Sequence, residues 1–104
     1  MVNFKDWFDY RNLILNLKYD AIESTIEITI VENPETLQPQ MTFEVKGIYK
    51  LSVDRFHDPD EVTMGDCEQY TLVKRNDKYQ HEIKTGDAII TFESKNKFQE
   101  KANP

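Results

Sequence analysis

The sequence predicts a single, mostly β domain of the α+β class, with an antiparallel sheet of six to seven strands and a short N-terminal helix. Apolar and polar residues alternate along most of the chain, and the segments between these runs are short. No segment between two runs is long and regular enough to be a helix that connects parallel strands. A length of 104 residues leaves room for one hydrophobic core. We therefore expect residues 1–104 to form one domain, with the sheet over 11–93.

The first element is predicted to be a short helix over residues 2–9. Phe4, Trp7 and Phe8 recur at the spacing of one apolar helix face, and Asn3 stands at the N-cap position. We expect this helix to cover part of one face of the sheet.

Two strands are predicted next, over residues 11–19 and 25–31, because both segments alternate with a period of two. The side chains predicted to face the core are Leu13, Leu15, Leu17, Tyr19, Ile26, Ile28 and Ile30. A loop over residues 32–40, which contains two prolines, ends this part of the chain.

A long alternating run over residues 41–53 follows. At about 3.3 Å per residue it would span roughly 43 Å, which is longer than a strand of a small sheet needs to be. Gly47 therefore predicts a bulge or bend that divides the run. Further strands are predicted over residues 68–74, 79–84 and 88–93.

Residues 94–104 are polar apart from Phe98 and Ala102. They predict either a short C-terminal helix or a frayed polar tail.

Charge and cysteine content restrict the partners and the location. With 19 acidic and 13 basic residues the chain carries a formal charge of −6, which repels nucleic acid and favours a basic protein partner. The single cysteine, Cys67, cannot form an internal disulfide, which favours the cytoplasm. The sequence shows neither a signal-peptide pattern nor an apolar run of membrane-spanning length, so we expect no membrane partner.

The acidic region over residues 57–68 is the candidate partner-binding site. Its charged and titratable members are His57, Asp58, Asp60, Glu61, Asp66 and Glu68. The alternatives are a solvated acidic loop and a metal site, but Val62 and Thr63 stand where an EF-hand loop needs an acidic residue and a glycine. We therefore assign no metal ligand and no cofactor.

Two further residues could carry chemistry, but both are better explained as structural. His81 shares the alternation phase of Tyr79 and Ile83, which predicts a hydrogen-bonded, half-buried histidine rather than a catalytic base. Cys67 has no neighbour that would lower its pKa, which predicts a buried thiol. No phosphate-binding glycine loop or hydrolase motif is present, so we assign no catalytic residue and expect a non-catalytic protein.

The order of elements in residues 8–56 resembles that of small bacterial immunity-type proteins of polymorphic toxin systems. The matching pieces are Leu15-Asn16-Leu17-Lys18-Tyr19-Asp20, Ser24-Thr25-Ile26-Glu27-Ile28-Thr29-Ile30 and Phe43-Glu44-Val45-Lys46-Gly47-Ile48-Tyr49. The resemblance implies a binding protein that neutralises a toxin. It transfers no site residue, because Tyr10-Arg11-Asn12 stands where those proteins often have a histidine-aspartate pair.

Two other functions stay open at this point. The alternating run over residues 41–53 suggests an assembly or accessory module that homodimerises through an exposed strand edge. The cluster around His57 suggests a small enzyme, with or without a metal ion.

Overall fold

The computed structural model describes residues 3–33, 35–36, 38–56 and 65–101. Within these ranges the chain forms one short helix and eight strands, arranged in two antiparallel sheets. The elements are α1 (Phe4–Trp7), β1 (Leu13–Asp20), β2 (Thr25–Val31), β3 (Gln40–Lys46), β4 (Ile48–Arg55), β5 (Cys67–Arg75), β6 (Lys78–Thr85), β7 (Ala88–Ser94) and β8 (Gln99–Glu100). The strand orders are β1-β2-β3-β8 and β4-β7-β6-β5. The mostly β, antiparallel class is confirmed, whereas a single sheet of six to seven strands is wrong.

Both sheets contribute to one hydrophobic core. Alternate side chains of β2 are fully buried at Ile26, Ile28 and Ile30, as the period of two predicts. From the other sheet, Ile83 and Ile90 are also fully buried and belong to the same cluster. The sheets are therefore two layers that share their inner faces.

Gly47 is the reason the alternating run forms strands in two sheets. It lies between β3 and β4 with a φ of +71°, a conformation that disfavours residues with a Cβ atom. The run over residues 41–53 is divided here, as predicted, and the chain passes from the first sheet to the second.

β1 departs from the predicted alternation because it contains a β-bulge. Ile14 pairs with Ile30 and Asn16 pairs with Thr29, so Leu15 is an extra residue with no partner in the ladder. The fully buried residue is consequently Ile14, which the alternation assigned to the polar face, while Leu15 is half-buried. The prediction that Leu15 faces the core is wrong.

The C-terminal residues are ordered against the first sheet. β8 pairs with β3, and the Phe98 ring just before it stacks on the Phe4 ring of α1 with 3.9 Å between centroids. The Lys101 Nζ atom lies 2.6 Å from Glu27 Oε1. Up to residue 101, the predicted C-terminal helix or frayed tail is therefore wrong.

Candidate functional site

The start of β1 is fixed to the start of β5, which brings two distant segments together. The Cys67 amide donates to the Asn12 carbonyl at 3.0 Å, and the Ile14 amide donates to the Gly65 carbonyl at 3.1 Å. The buried Asn12 side chain donates to the Trp7 carbonyl at 2.7 Å, which also holds the loop between α1 and β1. Cys67 therefore lies where the two sheets meet.

Four carboxylates collect around this junction, and we call them the acidic end: Asp6, Asp9, Glu32 and Asp66. The first three line one open cleft together with Arg11. The negative charges of Asp66 and Asp9 both act on the Cys67 thiol, so both carboxylates lie near this thiol. The acidic end thus combines side chains from three separate parts of the sequence.

Arg11 is the basic side chain in this cleft, and its guanidinium is already occupied. Its Nε donates to Asp9 Oδ1 and its terminal Nη2 to Asp9 Oδ2, each at 3.1 Å. These hydrogen bonds hold the pKa of Asp9 below its ordinary value and raise the pKa of Arg11. Within the described part of the chain, Arg11 forms an ion pair with Asp9 and none with Asp6, Glu32 or Asp66, although the charge of Glu32 also raises the pKa of Arg11.

The predicted partner-binding residues have different outcomes. Asp66 and Glu68 are exposed at the start of β5, where Glu68 is the extra residue of a second β-bulge. The other four, His57, Asp58, Asp60 and Glu61, lie outside the described residues. Sequence reasoning missed Asp6, Asp9 and Glu32, because nothing in their linear spacing shows that they line one cleft beside the junction of β1 and β5.

Cys67 is buried, as predicted, and its thiol is protonated. Burial is the main cause that raises its pKa to about 12, and the nearby charge of Asp66 acts in the same direction. A thiol in this state is a poor nucleophile.

His81 lies at the centre of a buried chain of hydrogen bonds. The Tyr70 hydroxyl lies 2.7 Å from Nδ1, the Ser94 hydroxyl lies 2.7 Å from Nε2, and the Ser94 hydroxyl donates to the Asn96 carbonyl. The predicted hydrogen-bonded histidine is confirmed, although it is more deeply buried than expected, with 2% of its surface exposed. Burial lowers its pKa to about 4, so the imidazole is neutral near pH 7.

Tyrosine, histidine and serine together resemble a catalytic group, but the His81 and Ser94 side chains of this group are buried. Ser94 has no exposed surface, and its hydroxyl proton is directed to the Asn96 carbonyl rather than to the histidine. Desolvation raises the pKa of Tyr70 well above its ordinary value. The arrangement stabilises a neutral imidazole inside the fold.

The predicted homodimer requires an exposed strand edge in the run over 41–53. Within the run over 41–53, β3 pairs with β2 and, at Phe43 and Glu44, with β8, whereas β4 lies at the edge of its sheet. β4 is irregular between Tyr49 and Ser52, and Lys50 there has a φ of +57°. Bulges and lysines on edge strands disfavour pairing with another chain. Homodimerisation stays a prediction, and light scattering at high protein concentration tests it.

Within the part of the chain that the structure describes, no three His, Cys, Asp or Glu side chains are arranged to hold a metal ion. The same residues contain no helix of the length and apolar character that a membrane span requires. Comparison with protein-family models, curated proteins and solved structures found no match to this chain.

Proposed function

We propose that this chain is a non-catalytic protein-binding domain that binds a basic protein partner through its acidic end. The observation that carries the proposal is the convergence of four carboxylates from three segments on one junction, with Arg11 already bound to Asp9. An immunity-type protein that neutralises a basic toxin is the specific form of this function that we favour.

The acidic end is charged strongly enough to guide a cationic partner. Its four carboxylates and one guanidinium give a net charge of −3. In water, a positive charge about 10 Å away gains about 1.2 kcal/mol, which screening at physiological ionic strength reduces to about 0.4 kcal/mol. A partner with three such charges gains about 1 kcal/mol, which corresponds to about sixfold faster association.

The burial of the reactive side chains supports a binding role rather than catalysis. Cys67, His81 and Ser94 are all buried, and Cys67 and His81 are held in the neutral form by desolvation. None of these three side chains is placed to act on a bound molecule.

The test measures association with the protein encoded next to this chain's own gene. The charge-removing variant combines Asp6→Asn, Glu32→Gln and Asp66→Asn. We expect its association rate to fall about sixfold at physiological ionic strength and to approach that of the unmodified protein at high salt. Dissociation changes little, unless one of these carboxylates is fully desolvated in the complex.

A matched control removes the same charge elsewhere. Glu23→Gln, Asp77→Asn and Glu100→Gln change side chains in the β1–β2 turn, the β5–β6 turn and β8, outside the acidic end. If this variant slows association as much as the first, net charge alone guides the partner and the proposed site is wrong. Co-expression with the neighbouring protein tests the toxin-neutralising form, since cells should survive only when this chain binds it.

The acidic region of the sequence requires a separate variant, because most of it lies outside the described residues. Replacing Asp58, Asp60 and Glu61 together with alanine should slow association at low salt if this region belongs to the same interface. An unchanged rate at both low and high salt would identify it as a solvated loop.

A further inference from the structure

α1 is held in place by aromatic contacts. The Phe4 ring lies 3.9 Å from the Phe98 ring, 4.9 Å from the Tyr70 ring and 5.3 Å from the Phe43 ring, measured between centroids. A helix of one turn is not stable by itself in water. The position of α1 therefore depends on the rings beneath it.

These rings are in turn supported by His81. The imidazole stacks on Phe92 with 4.3 Å between centroids and meets the edge of Phe98 at 5.7 Å. Its Nδ1 atom fixes Tyr70 through the hydroxyl group. His81 lies on β6, between β5 and β7. It therefore contacts side chains of both neighbouring strands and also the rings that hold α1.

Only one placement of the hydrogen atoms satisfies all three hydrogen bonds between Tyr70, His81, Ser94 and the Asn96 carbonyl. Because the Ser94 hydroxyl donates to the Asn96 carbonyl, it must accept from His81 Nε2–H. The other ring nitrogen, Nδ1, then carries no hydrogen and accepts from the Tyr70 hydroxyl. When His81 is neutral, the Tyr70 hydroxyl, the His81 Nε2–H group and the Ser94 hydroxyl therefore each have an acceptor.

We propose that protonation of His81 releases the N-terminal segment, residues 3–12, from the two sheets while the sheets themselves stay folded. Protonation places a hydrogen on Nδ1, so the Tyr70 hydroxyl becomes an acceptor and loses the acceptor for its own hydrogen. A buried donor without an acceptor and a buried cation are both costly, and detaching the aromatic cover admits water to both.

Among the described residues, none of the hydrogen-bond or ring partners of the His81 imidazole is a carboxylate. The titratable and charged groups that face this site are the phenols of Tyr70 and Tyr79, and Lys97, whose Nζ lies 5.5 Å from the Tyr79 ring centroid. From α1, Lys5 and Asp6 line a pocket together with Tyr70 and Phe98. Glu82 and Glu93 occupy alternate positions of β6 and β7, on the outer face. Burial is therefore the main cause that lowers the pKa of His81, and a hydrogen bond with the Asn96 backbone opposes it only in part.

Cys67 reports the release directly. Its amide is bound to the Asn12 carbonyl and its thiol is fully buried, so detachment of residues 3–12 uncovers the chain's single sulfhydryl group. The test measures the rate at which Cys67 is labelled by a pyridyl disulfide, a reagent that also reacts with thiols in acid, at pH values from 7 to 4. Each rate is divided by the rate of the urea-unfolded chain at the same pH, which removes the chemistry of the reagent.

We expect this ratio to rise by up to about 100-fold between pH 7 and pH 4, because the pKa of His81 is about 4 when the segment is attached and returns at most to its ordinary value of 6.5 when the segment is released. The urea dependence of labelling should be much weaker than that of global unfolding, and the far-UV circular dichroism of the strands should persist. Labelling with the full urea dependence of global unfolding, or a ratio independent of pH, would overturn the proposal.

A non-titrating variant provides the matched control. His81→Gln keeps one donor and one acceptor in the chain of hydrogen bonds, and its labelling ratio should not change with pH. His57→Gln removes the other histidine and should keep the rise. An equal rise in His81→Gln would assign the effect to other groups.

If His81→Gln does not fold, NMR titration of the unmodified protein decides the question. The His81 imidazole resonances and the labelling ratio must then change with the same midpoint, and separate midpoints would refute the proposal. No binding partner is used in either measurement, so the result is independent of the proposed function.

Discussion

Replacing Arg55 with methionine is expected to destabilise the fold strongly, because it leaves a buried carboxylate without its partner. Asp87 is 2% exposed, and both the Nε and the Nη2 atoms of Arg55 donate to its Oδ2 atom. The other carboxylate oxygen, Oδ1, has no hydrogen-bond partner among the described residues. Arg55 therefore supplies the charge that makes burial of Asp87 tolerable.

The expected loss is about 3 kcal/mol. Removing one member of a buried ion pair typically costs about 3–5 kcal/mol, and the Arg55 side chain is 28% exposed, so water partly solvates the pair and the low end applies. With a urea m-value of about 1–3 kcal/mol per molar for a small domain, the midpoint should fall by about 1–3 M. This is a large fraction of the total stability of a domain of this size.

The assay is urea unfolding followed by far-UV circular dichroism, for Arg55→Met, Asp87→Asn and the double variant. In the Asp87→Asn background, removing Arg55 should lower the free energy of unfolding much less. The losses of the two single variants should therefore add up to at least about 1.5 kcal/mol more than the loss of the double variant. A loss below about 0.5 kcal/mol in Arg55→Met, or simple additivity of the two single losses, would refute this account of the pair.

Three further predictions concern stability. Gly47→Ala should cost about 1–2 kcal/mol in urea unfolding because of the positive φ and not because of a clash, since the nearest described atom to an added Cβ is Asn96 Nδ2 at 3.7 Å; a neutral result would mean that the turn relaxes. Phe98→Ala should cost about 2–4 kcal/mol, whereas Tyr10→Ala, at a side chain 74% exposed, should stay within about 0.5 kcal/mol, and equal losses would contradict the packing described. The free energy of unfolding should fall by up to about 3 kcal/mol between pH 6.5 and pH 4, because only the unfolded chain protonates His81 in this window. Above pH 6.5 this contribution is complete, and the same slope in His81→Gln would show that other groups cause the loss.

The sequence predicts those strands in which one face is buried without interruption. Ile26, Ile28 and Ile30 alternate perfectly, and all three are fully buried. β1 carries the same pattern, but the extra residue Leu15 inverts the phase, and a bulge has no signature in the alternation itself. Gly47 was recognisable because a continuous strand of that length would have been too long.

The features missed are those that depend on contacts between distant residues. β8 is two polar residues long, and it is a strand only because β3 offers an unpaired side. The division into two sheets follows from which strands pair, which hydrophobic periodicity does not specify. The acidic end was missed for the same reason, since Asp66 was identified as a candidate but Asp6 and Glu32 line a cleft with Asn12, which only the fold bonds to Cys67.

The position of Gly47 between the sheets has a consequence for synthesis on the ribosome. β1, β2 and β3 are made before any strand of the sheet that covers them, and the covering strands extend to Ser94. At about 5–20 residues per second, the intervening residues take on the order of 2–9 seconds to translate. During that interval the isoleucine face of β2 has no partner layer, so the first sheet cannot bury its core until the second sheet has been made.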